Sequence, residues 1–407
     1  MLSVEQAIQA ICESVEPAPT ALAPLREASG LVLAEEVRAS GDSPPFDKAL
    51  MDGYAATSAD REARIADFAV IGEITAGSTE TFPVGSGRVV RIMTGATLPE
   101  GADCVIPFEQ ALEQADGASV RLPAEALRPG ANLARRGASV RAGSLILSPG
   151  ARLGAVQLGA LAEMGRTEVR VHPRPRIAIL ATGDELVPFD TEPGPGQIRN
   201  SNELMLVLQA SAAGADAVPL GIARDRREEL ESRVAQGLDA DFLCLTGGVS
   251  AGTRDLVPDV LAGAGVTEVF HGCRLKPGKP VWFGRLPAER SADGQPRWIF
   301  GLPGNPVSSM VCFELFVRTA LRRRMGIAAA APELLSARLT SDHVSKDSRP
   351  TYFPALLSGA SDDLCASPLD WRGSFDLQAT ARANGLILFS EPRTFAAGER
   401  VAALPLG

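Results

Sequence analysis

Asp241-Phe242-Leu243-Cys244-Leu245-Thr246-Gly247-Gly248-Val249-Ser250-Ala251-Gly252 is an apolar run that breaks into a glycine-rich polar loop. The run has the length and composition of a buried strand, and a helical pattern follows the loop. The same succession occurs twice more. Arg176 to Ala181 runs into Thr182-Gly183-Asp184-Glu185, and Trp298 to Leu302 runs into Pro303-Gly304-Asn305-Pro306, each with a helix expected after it. Strands that alternate with helices imply a mostly parallel, doubly wound sheet. In such a sheet, ligands bind where strands end and chain direction reverses. Three polar loops at three carboxyl strand ends therefore predict one convergent site, in an enzyme or a ligand binder.

Outward from this region the texture changes. The helical patterns of the α/β segment cover about Asn202 to Ala213, Arg226 to Gln236, Asp255 to Ala264 and Pro306 to Met325. The last has Asn305 in the capping position, Pro306 at the first helical position and Arg322-Arg323-Arg324 near its end, where the helix dipole favours cations. Ser3 to Val15 reads as an amphipathic helix, with Ser3 and Gln6 spaced as a capping box. Phe68 to Ile74, Gly87 to Met93 and Cys104 to Phe108 are short β-prone segments between Gly, Pro and Thr, as in a small all-β module. An apolar helical stretch lies around Ala155 to Met164. Val171-His172-Pro173-Arg174-Pro175-Arg176 reads as a linker, because proline blocks helix and breaks sheet pairing. After about residue 328, short strands and turns suggest a second compact β domain.

At 407 residues the chain exceeds one compact core, so about two to four domains are expected. Hydrophobic content of 45% with 22% charge describes an ordinary globular protein, and a net charge of −9 argues against general nucleic-acid or anionic-membrane binding. A local basic pocket for an anionic substrate remains compatible with that charge. No uncharged apolar stretch is long enough to span a bilayer, and Met1-Leu2-Ser3-Val4-Glu5 lacks the basic start and apolar core of a signal peptide. The cytoplasm is the expected location. Six cysteines lie far apart with no C-x-x-C pair, so buried reduced thiols are expected rather than disulfides or a zinc site. Three scattered histidines, at 172, 271 and 343, give no metal cluster and little support for histidine-based triad chemistry.

The chemistry concentrates in a few segments. In the loop from Thr246 to Gly252, Gly247, Gly248 and Gly252 let backbone N–H groups turn inward as an anion nest, with hydroxyls from Thr246 and Ser250. Neither a P-loop nor a G-x-G-x-x-G spacing is present, and an unliganded glycine turn fits the same residues. Asp184 and Glu185 follow one strand, Asp225 follows the segment Val218 to Ala223, and Asp255 closes the glycine loop. Each acid alone suits a helix cap or first turn. Beside a phosphate nest, together, they call for a divalent cation such as Mg²⁺. Lys276-Pro277-Gly278-Lys279-Pro280 clamps two lysines between prolines, which aims their ammonium groups and suits an oxyanion, with Arg274 adding charge. Asp52 before Gly53, and Thr94 before Gly95, fit ordinary turns equally well.

Taken together, the motifs resemble the molybdopterin molybdenumtransferases, which complete molybdenum cofactor synthesis. The resemblance runs in register through Ser43-Pro44-Pro45-Phe46-Asp47, Met51-Asp52-Gly53-Tyr54-Ala55, Arg91-Ile92-Met93-Thr94-Gly95-Ala96, Thr182-Gly183-Asp184-Glu185-Leu186, Thr246-Gly247-Gly248-Val249-Ser250, Lys276 to Pro280 and Gly301-Leu302-Pro303-Gly304-Asn305-Pro306-Val307-Ser308. It implies a multidomain α/β plus β fold. An N-terminal linking and dimerisation domain would cover 1–43 with 142–172, and an inserted small β-rich domain 44–141. A doubly wound molybdopterin-binding α/β domain would cover 173–328, and a C-terminal β-barrel-like domain 329–407. The implied enzyme is a homodimer acting on adenylylated molybdopterin and molybdate, with Mg²⁺, pyrophosphate hydrolysis and release of AMP. Transient contact with other cofactor-synthesis proteins is also implied.

Residue by residue, the resemblance gives catalytic roles to Asp52, Thr94, Glu185, Asp225 and Asp255, of which Glu185, Asp225 and Asp255 would hold metal. Substrate would contact Thr182, Gly183, Thr246, Gly247, Gly248, Ser250, Gly252, Pro303, Gly304, Asn305 and Pro306. Molybdate would sit among Lys276, Lys279, Arg349 and Ser374. One departure stands out: after Arg135-Arg136-Gly137, where the family usually carries an acid, this chain has Ala138-Ser139. Two rival readings are a stand-alone molybdopterin adenylyltransferase or nucleotide amidohydrolase relative, and a molybdopterin-binding scaffold without turnover. Met51 to Ala55 and the C-terminal β module oppose the first, and short linkers oppose the second.

Overall fold

The computed structural model describes residues 1–115, 117–248, 256–360 and 363–406. The chain divides into two compact units. One comprises Met1–Glu35, Pro149–Leu158 and Thr167–Gly407, and the other Glu36–Ser148 and Gly159–Arg166.

The larger unit is built on a six-stranded sheet. Its strands are β1 (Arg176–Thr182), β2 (Asp216–Ala223), β3 (Phe242–Thr246), β4 (Thr267–His271), β5 (Trp282–Leu286) and β6 (Arg297–Leu302). They lie in the order β2-β1-β3-β6-β5-β4. β2, β1, β3 and β6 are parallel, whereas β5 runs antiparallel to both its neighbours. The continuous apolar runs follow from burial on both faces. With a side-chain period of two, Ile177 and Ile179 of β1 enter one core, and Ala178 and Leu180 the other. The first core also takes side chains from α1 (Val4–Ser14), α2 (Ser201–Ala212) and the long helix after β6. The second is covered by α3 (Arg227–Gly237) and α4 (Val257–Gly263).

α1 starts with the expected capping box: Gln6 donates its N–H to the Ser3 hydroxyl at 3.2 Å, and Ser3 donates to the Gln6 side-chain oxygen at 2.9 Å. Val4 and Ile11 are buried against the sheet core, which stabilises the docking by about 1.5–3 kcal/mol each. The helix after β6 comprises α5 (Pro306–Cys312), a π-helical turn over Phe313–Val317 and α6 (Arg318–Arg324). Asn305 occupies its N-cap position but makes no side-chain capping bond, so it is a positional cap only.

Two expectations from the sequence are corrected. No helix directly follows Thr182-Gly183. The chain first makes an excursion through two short paired strands, Leu186–Val187 and Ile198–Arg199, before α2 begins. The linker also starts later than expected, because Glu168–His172 is a strand paired with Ala21–Pro24 and Val32–Leu33. Proline enters only at Pro173. A closed barrel follows in the C-terminal region, formed by Leu335–Leu339, Cys365–Pro368, Thr351–Ser358, Gly385–Phe389 and Arg400–Pro405.

The smaller unit carries its own six-stranded sheet, in the order Cys104–Pro107, Gly53–Ala56, Arg88–Ile92, Asp67–Ile74, Ser119–Arg121 and Leu112–Glu113. Its core is centred on Tyr54, Phe68 and Ile106. Among the described residues no helix is long and apolar enough to cross a membrane. All six cysteines are free. Burial pushes the thiols of Cys104 and Cys273 up to about 12, as expected of inert core cysteines.

Candidate functional site

The parallel ladder brings three strand ends level. Ala181 of β1 pairs with Thr246 of β3, and Thr246 with Leu302 of β6. β1 lies between β2 and β3, so the strand order reverses there and the loops after β1 and β3 open a crevice at the switch point.

Gly247 makes this junction tight. Its φ is +91°, and a Cβ there would come within 2.5 Å of the Thr182 carbonyl oxygen, so only glycine fits without displacing β1. The Gly247 N–H, however, does not face a ligand. It donates to the Leu302 carbonyl at 3.1 Å, extending the ladder by one bond, and the Gly183 N–H likewise donates to the Ala223 carbonyl at 3.1 Å. The Gly247 N–H, counted in the expected nest, is thus spent on the sheet, as is the Gly183 N–H beside it. Gly248 has a left-handed backbone at φ +62°. Ser250, Gly252 and Asp255 lie outside the described residues.

A buried polar knot ties the three loops. The Asn202 amide nitrogen at the start of α2 donates to the Thr246 hydroxyl at 2.8 Å and to the Gly304 carbonyl at 2.8 Å. The Thr246 hydroxyl also lies 3.2 Å from that of Ser309, which donates to the Pro303 carbonyl. Thr182 donates to the Thr246 carbonyl at 3.4 Å. Gly304 packs on Gly247, where an added Cβ would meet the Gly247 Cα at 3.7 Å. Sequence reasoning missed Asn202 and Ser309, since an Asn and a Ser in helical first turns carry no distinguishing signal until tertiary structure supplies their partners.

Above the knot lies a cavity of about 900 Å³, within the usual upper range for a small-molecule site. Thr182 and Glu185 form one wall and the excursion from Pro193 to Asn202 another. Gly247, Gly304, Asn305 and Pro306 form the floor, and Phe375, Leu377 and Gln378 the rim. The rim is held by a bond from the Val307 N–H to the Ser374 carbonyl at 3.0 Å. Thus Thr182, Gly247, Gly304, Asn305, Pro306 and Glu185 share one cleft, with Ser374 tied to its edge.

Beside the cleft, the Asp225 N–H donates to the Asp184 carboxylate at 3.3 Å. Burial first, then the charges of Asp184 and Glu185, hold the Asp225 carboxyl above its ordinary value. Arg224 does not relieve this repulsion, because its guanidinium donates to the carbonyls of Asp184 at 2.7 Å and Leu186 at 2.9 Å. Among the described residues no three His, Cys, Asp or Glu side chains converge as a ready metal site. Asp225 and Glu185 are nevertheless hard oxygen donors of the kind that Mg²⁺ takes alongside waters and phosphate oxygens.

The lysine loop is stitched to the C-terminal barrel. The Lys276 N–H donates to the Pro350 carbonyl at 2.9 Å, and the Tyr352 N–H to the Lys276 carbonyl at 2.8 Å. Lys276 and Arg349 consequently meet on one carboxylate: Arg349 grips Asp347 through two bonds of 2.9 and 2.8 Å, and the Lys276 ammonium lies 3.4 Å from it. Arg349 above all, with Lys276, holds the Asp347 carboxyl well below the usual range. Asp347 was not foreseen, and it already balances part of the positive charge expected for an oxyanion. Lys279 is exposed and forms no ion pair among the described residues, so the two lysines do not share a partner.

In the smaller unit, Asp52 accepts both the hydroxyl and the backbone N–H of Thr94 at 2.7 Å. The Thr94 hydroxyl, then its N–H, lowers the Asp52 pKa, so this exposed carboxylate remains an anion. The segment lacking the family's acid is held by its backbone: Ala138 and Ser139 donate to the carbonyls of Arg135 and Ser43 at 2.9 Å each.

Comparison with known proteins agrees with this architecture. Residues 2–165 match the MoeA N-terminal region (domain I and II), residues 178–323 the probable molybdopterin binding domain, and residues 336–406 the MoeA C-terminal region (domain IV). The chain is 32% identical over 407 residues to the molybdopterin molybdenumtransferase of Staphylococcus epidermidis, covering 98% of this chain and 94% of that protein. The enzyme of that name from Staphylococcus aureus is 31% identical over 410 residues, with coverage of 98% and 94%. Two crystal structures of the molybdopterin biosynthesis MoeA protein from Pyrococcus horikoshii superpose with TM-scores of 0.80 and 0.82, at 29% and 26% identity. They cover 100% of this chain and 99% and 100% of theirs. By sequence along almost its whole length and by fold, this chain belongs to the molybdopterin molybdenumtransferase (MoeA) family of molybdenum cofactor biosynthesis.

Proposed function

We propose that the chain inserts molybdenum from molybdate into adenylylated molybdopterin, with hydrolysis of the pyrophosphate bond and release of AMP. The observation that carries this reading is the cleft at the ends of β1, β3 and β6, where a glycine-lined floor adjoins an uncompensated acidic edge. The cleft has room for a nucleotide and part of a pterin. In this reading Gly247, Gly304, Asn305 and Pro306 contact the pyrophosphate and its flanking sugar, and the buried knot fixes the distances between the three loops. Glu185 and Asp225, with Asp255, would hold Mg²⁺, which supplies neutralisation of charge on the pyrophosphate oxygens as AMP departs. Lys276, Lys279, Arg349 and Ser374 are assigned to molybdate, the guanidinium and ammonium groups acting as donors to its oxygens. Asp52 and Thr94 contribute a fixed carboxylate–hydroxyl pair to catalysis. The active form is a homodimer, located in the cytoplasm.

The test is AMP release from adenylylated molybdopterin by purified protein. Release should require both molybdate and Mg²⁺. Equal release without molybdate would remove the insertion role, and binding with no release under any condition would leave only a scaffold.

A further inference from the structure

Arg322-Arg323-Arg324 at the end of α6 has the placement that a helix dipole favours, yet the three side chains do different things. Arg324 stacks over Trp298 with its guanidinium carbon 5.0 Å from the ring centroid, and donates to Asp241 at 3.0 Å. Arg323 donates to the Cys12 carbonyl at 3.3 Å. Arg322 has neither an ion pair nor a side-chain hydrogen bond among the described residues. It lines a second cavity, of about 290 Å³, remote from the strand-end loops.

One turn back on α6, Arg318 lines the same cavity, and Arg152 enters from the loop after Gly150. Arg318 is paired with the buried Glu314. Arg152, like Arg322, has no charge partner among the described residues. Among the described residues no acidic side chain lines the cavity; its remaining walls are glycine backbone and apolar groups such as Val32, Met325 and Ile327. In a chain of net charge −9, exposed Arg152 and half-buried Arg322, neither with a charge partner among the described residues, line one open-sided recess, which general basicity does not account for. Arginine offers forked N–H donors that match phosphate oxygens in pairs. The space equals the liquid volume of roughly ten waters, enough for a phosphoryl group and a short stem.

We propose that this cavity binds a phosphoryl group, free or as a small phosphomonoester, through Arg152 and Arg322, with Arg318 held alongside by Glu314. The site is separate from the cleft assigned to turnover.

The test uses the full-length wild-type protein and arginine-directed labelling with phenylglyoxal, read peptide by peptide by mass spectrometry. Inorganic phosphate and glycerol 3-phosphate are each titrated as protectants. Labelling of Arg152 and Arg322 should slow at least fivefold, while exposed Arg226 and Arg382 remain unaffected. Stronger protection by glycerol 3-phosphate identifies a phosphomonoester, and equal protection identifies free phosphate. In Arg322→Ala, checked for an unchanged melting profile, phosphate should no longer protect Arg152. Unchanged labelling at millimolar concentrations of both compounds overturns the proposal. So does protection that rises with protein concentration alone, because the cavity is then filled by a second copy of the chain.

Discussion

At the scale of single residues, the cleft depends on a contrast between two glycines. Gly247 combines a left-handed backbone with a Cβ position 2.5 Å from the Thr182 carbonyl, whereas Gly304 would meet only the Gly247 Cα at 3.7 Å. Gly247→Ala should therefore cost on the order of 1–3 kcal/mol and weaken AMP binding, by shifting Thr182 against Thr246. Gly304→Ala should fold normally. Thermal unfolding and AMP titration of the pair check this, and equal melting temperatures would contradict it. Asp225 carries a different kind of strain. Its folded-state pKa is raised by burial and by Asp184 and Glu185, so its ionisation opposes folding. That penalty is absent below the unfolded carboxyl pKa and grows as pH rises through the folded value. Asp225→Asn should accordingly raise the melting temperature of the metal-free protein at pH 7 but not at pH 3, and should reduce any stabilisation by Mg²⁺. Scanning calorimetry at the two pH values, with and without Mg²⁺, reads both effects.

At the scale of elements, the strands were legible and the side-chain knots were not. Arg176 to Ala181, Asp241 to Leu245 and Trp298 to Leu302 read as strands because, after the charged residues Arg176 and Asp241 that open two of them, burial on both faces leaves only apolar residues. The loops read as site loops because glycine and hydroxyl residues interrupt those runs abruptly. The excursion between Thr182 and α2 was hidden, since its paired strands span only Leu186–Val187 and Ile198–Arg199, too short for a periodic signal. Likewise, the pairing of Glu168–His172 is a tertiary event, and the proline-rich residues after it dominated the local reading. Asp347 was invisible for the same reason: only the stitching of the lysine loop to Pro350 and Tyr352 brings Lys276 beside Arg349. This junction yields a prediction. Asp347→Asn should increase oxyanion affinity severalfold, measured by calorimetric titration of molybdate, because Lys276 and Arg349 lose a competing carboxylate. It should also cost at most about 1 kcal/mol of stability at pH 7, since Lys276 and Arg349 are partly exposed. Since the Asp347 pKa is depressed, that contribution is present above the ordinary carboxyl range and fades only at strongly acid pH. Weaker molybdate binding in the variant would instead make Asp347 part of the pocket.

At the scale of the whole molecule, the family assignment and the chemistry read from the loops point the same way for different reasons. Length pointed to several domains, and the net charge of −9 argued against general nucleic-acid binding. The seven motifs in register specified the family, which full-length relatives and the MoeA fold then established. What remained beyond the sequence was which of the named residues face one space. Thr182, Glu185, Gly247, Gly304, Asn305 and Pro306 do so, whereas the N–H groups of Gly183 and Gly247 are consumed by the sheet. The central claim is that this strand-end cleft is the nucleotide site of a molybdenum-inserting enzyme. A crystal structure of the protein soaked with AMP and molybdate tests it most directly. The account predicts AMP lying across Gly247 and Gly304 inside the cleft, with molybdate on Lys276 and Arg349. AMP bound away from the ends of β1, β3 and β6, with this cleft empty, would contradict it.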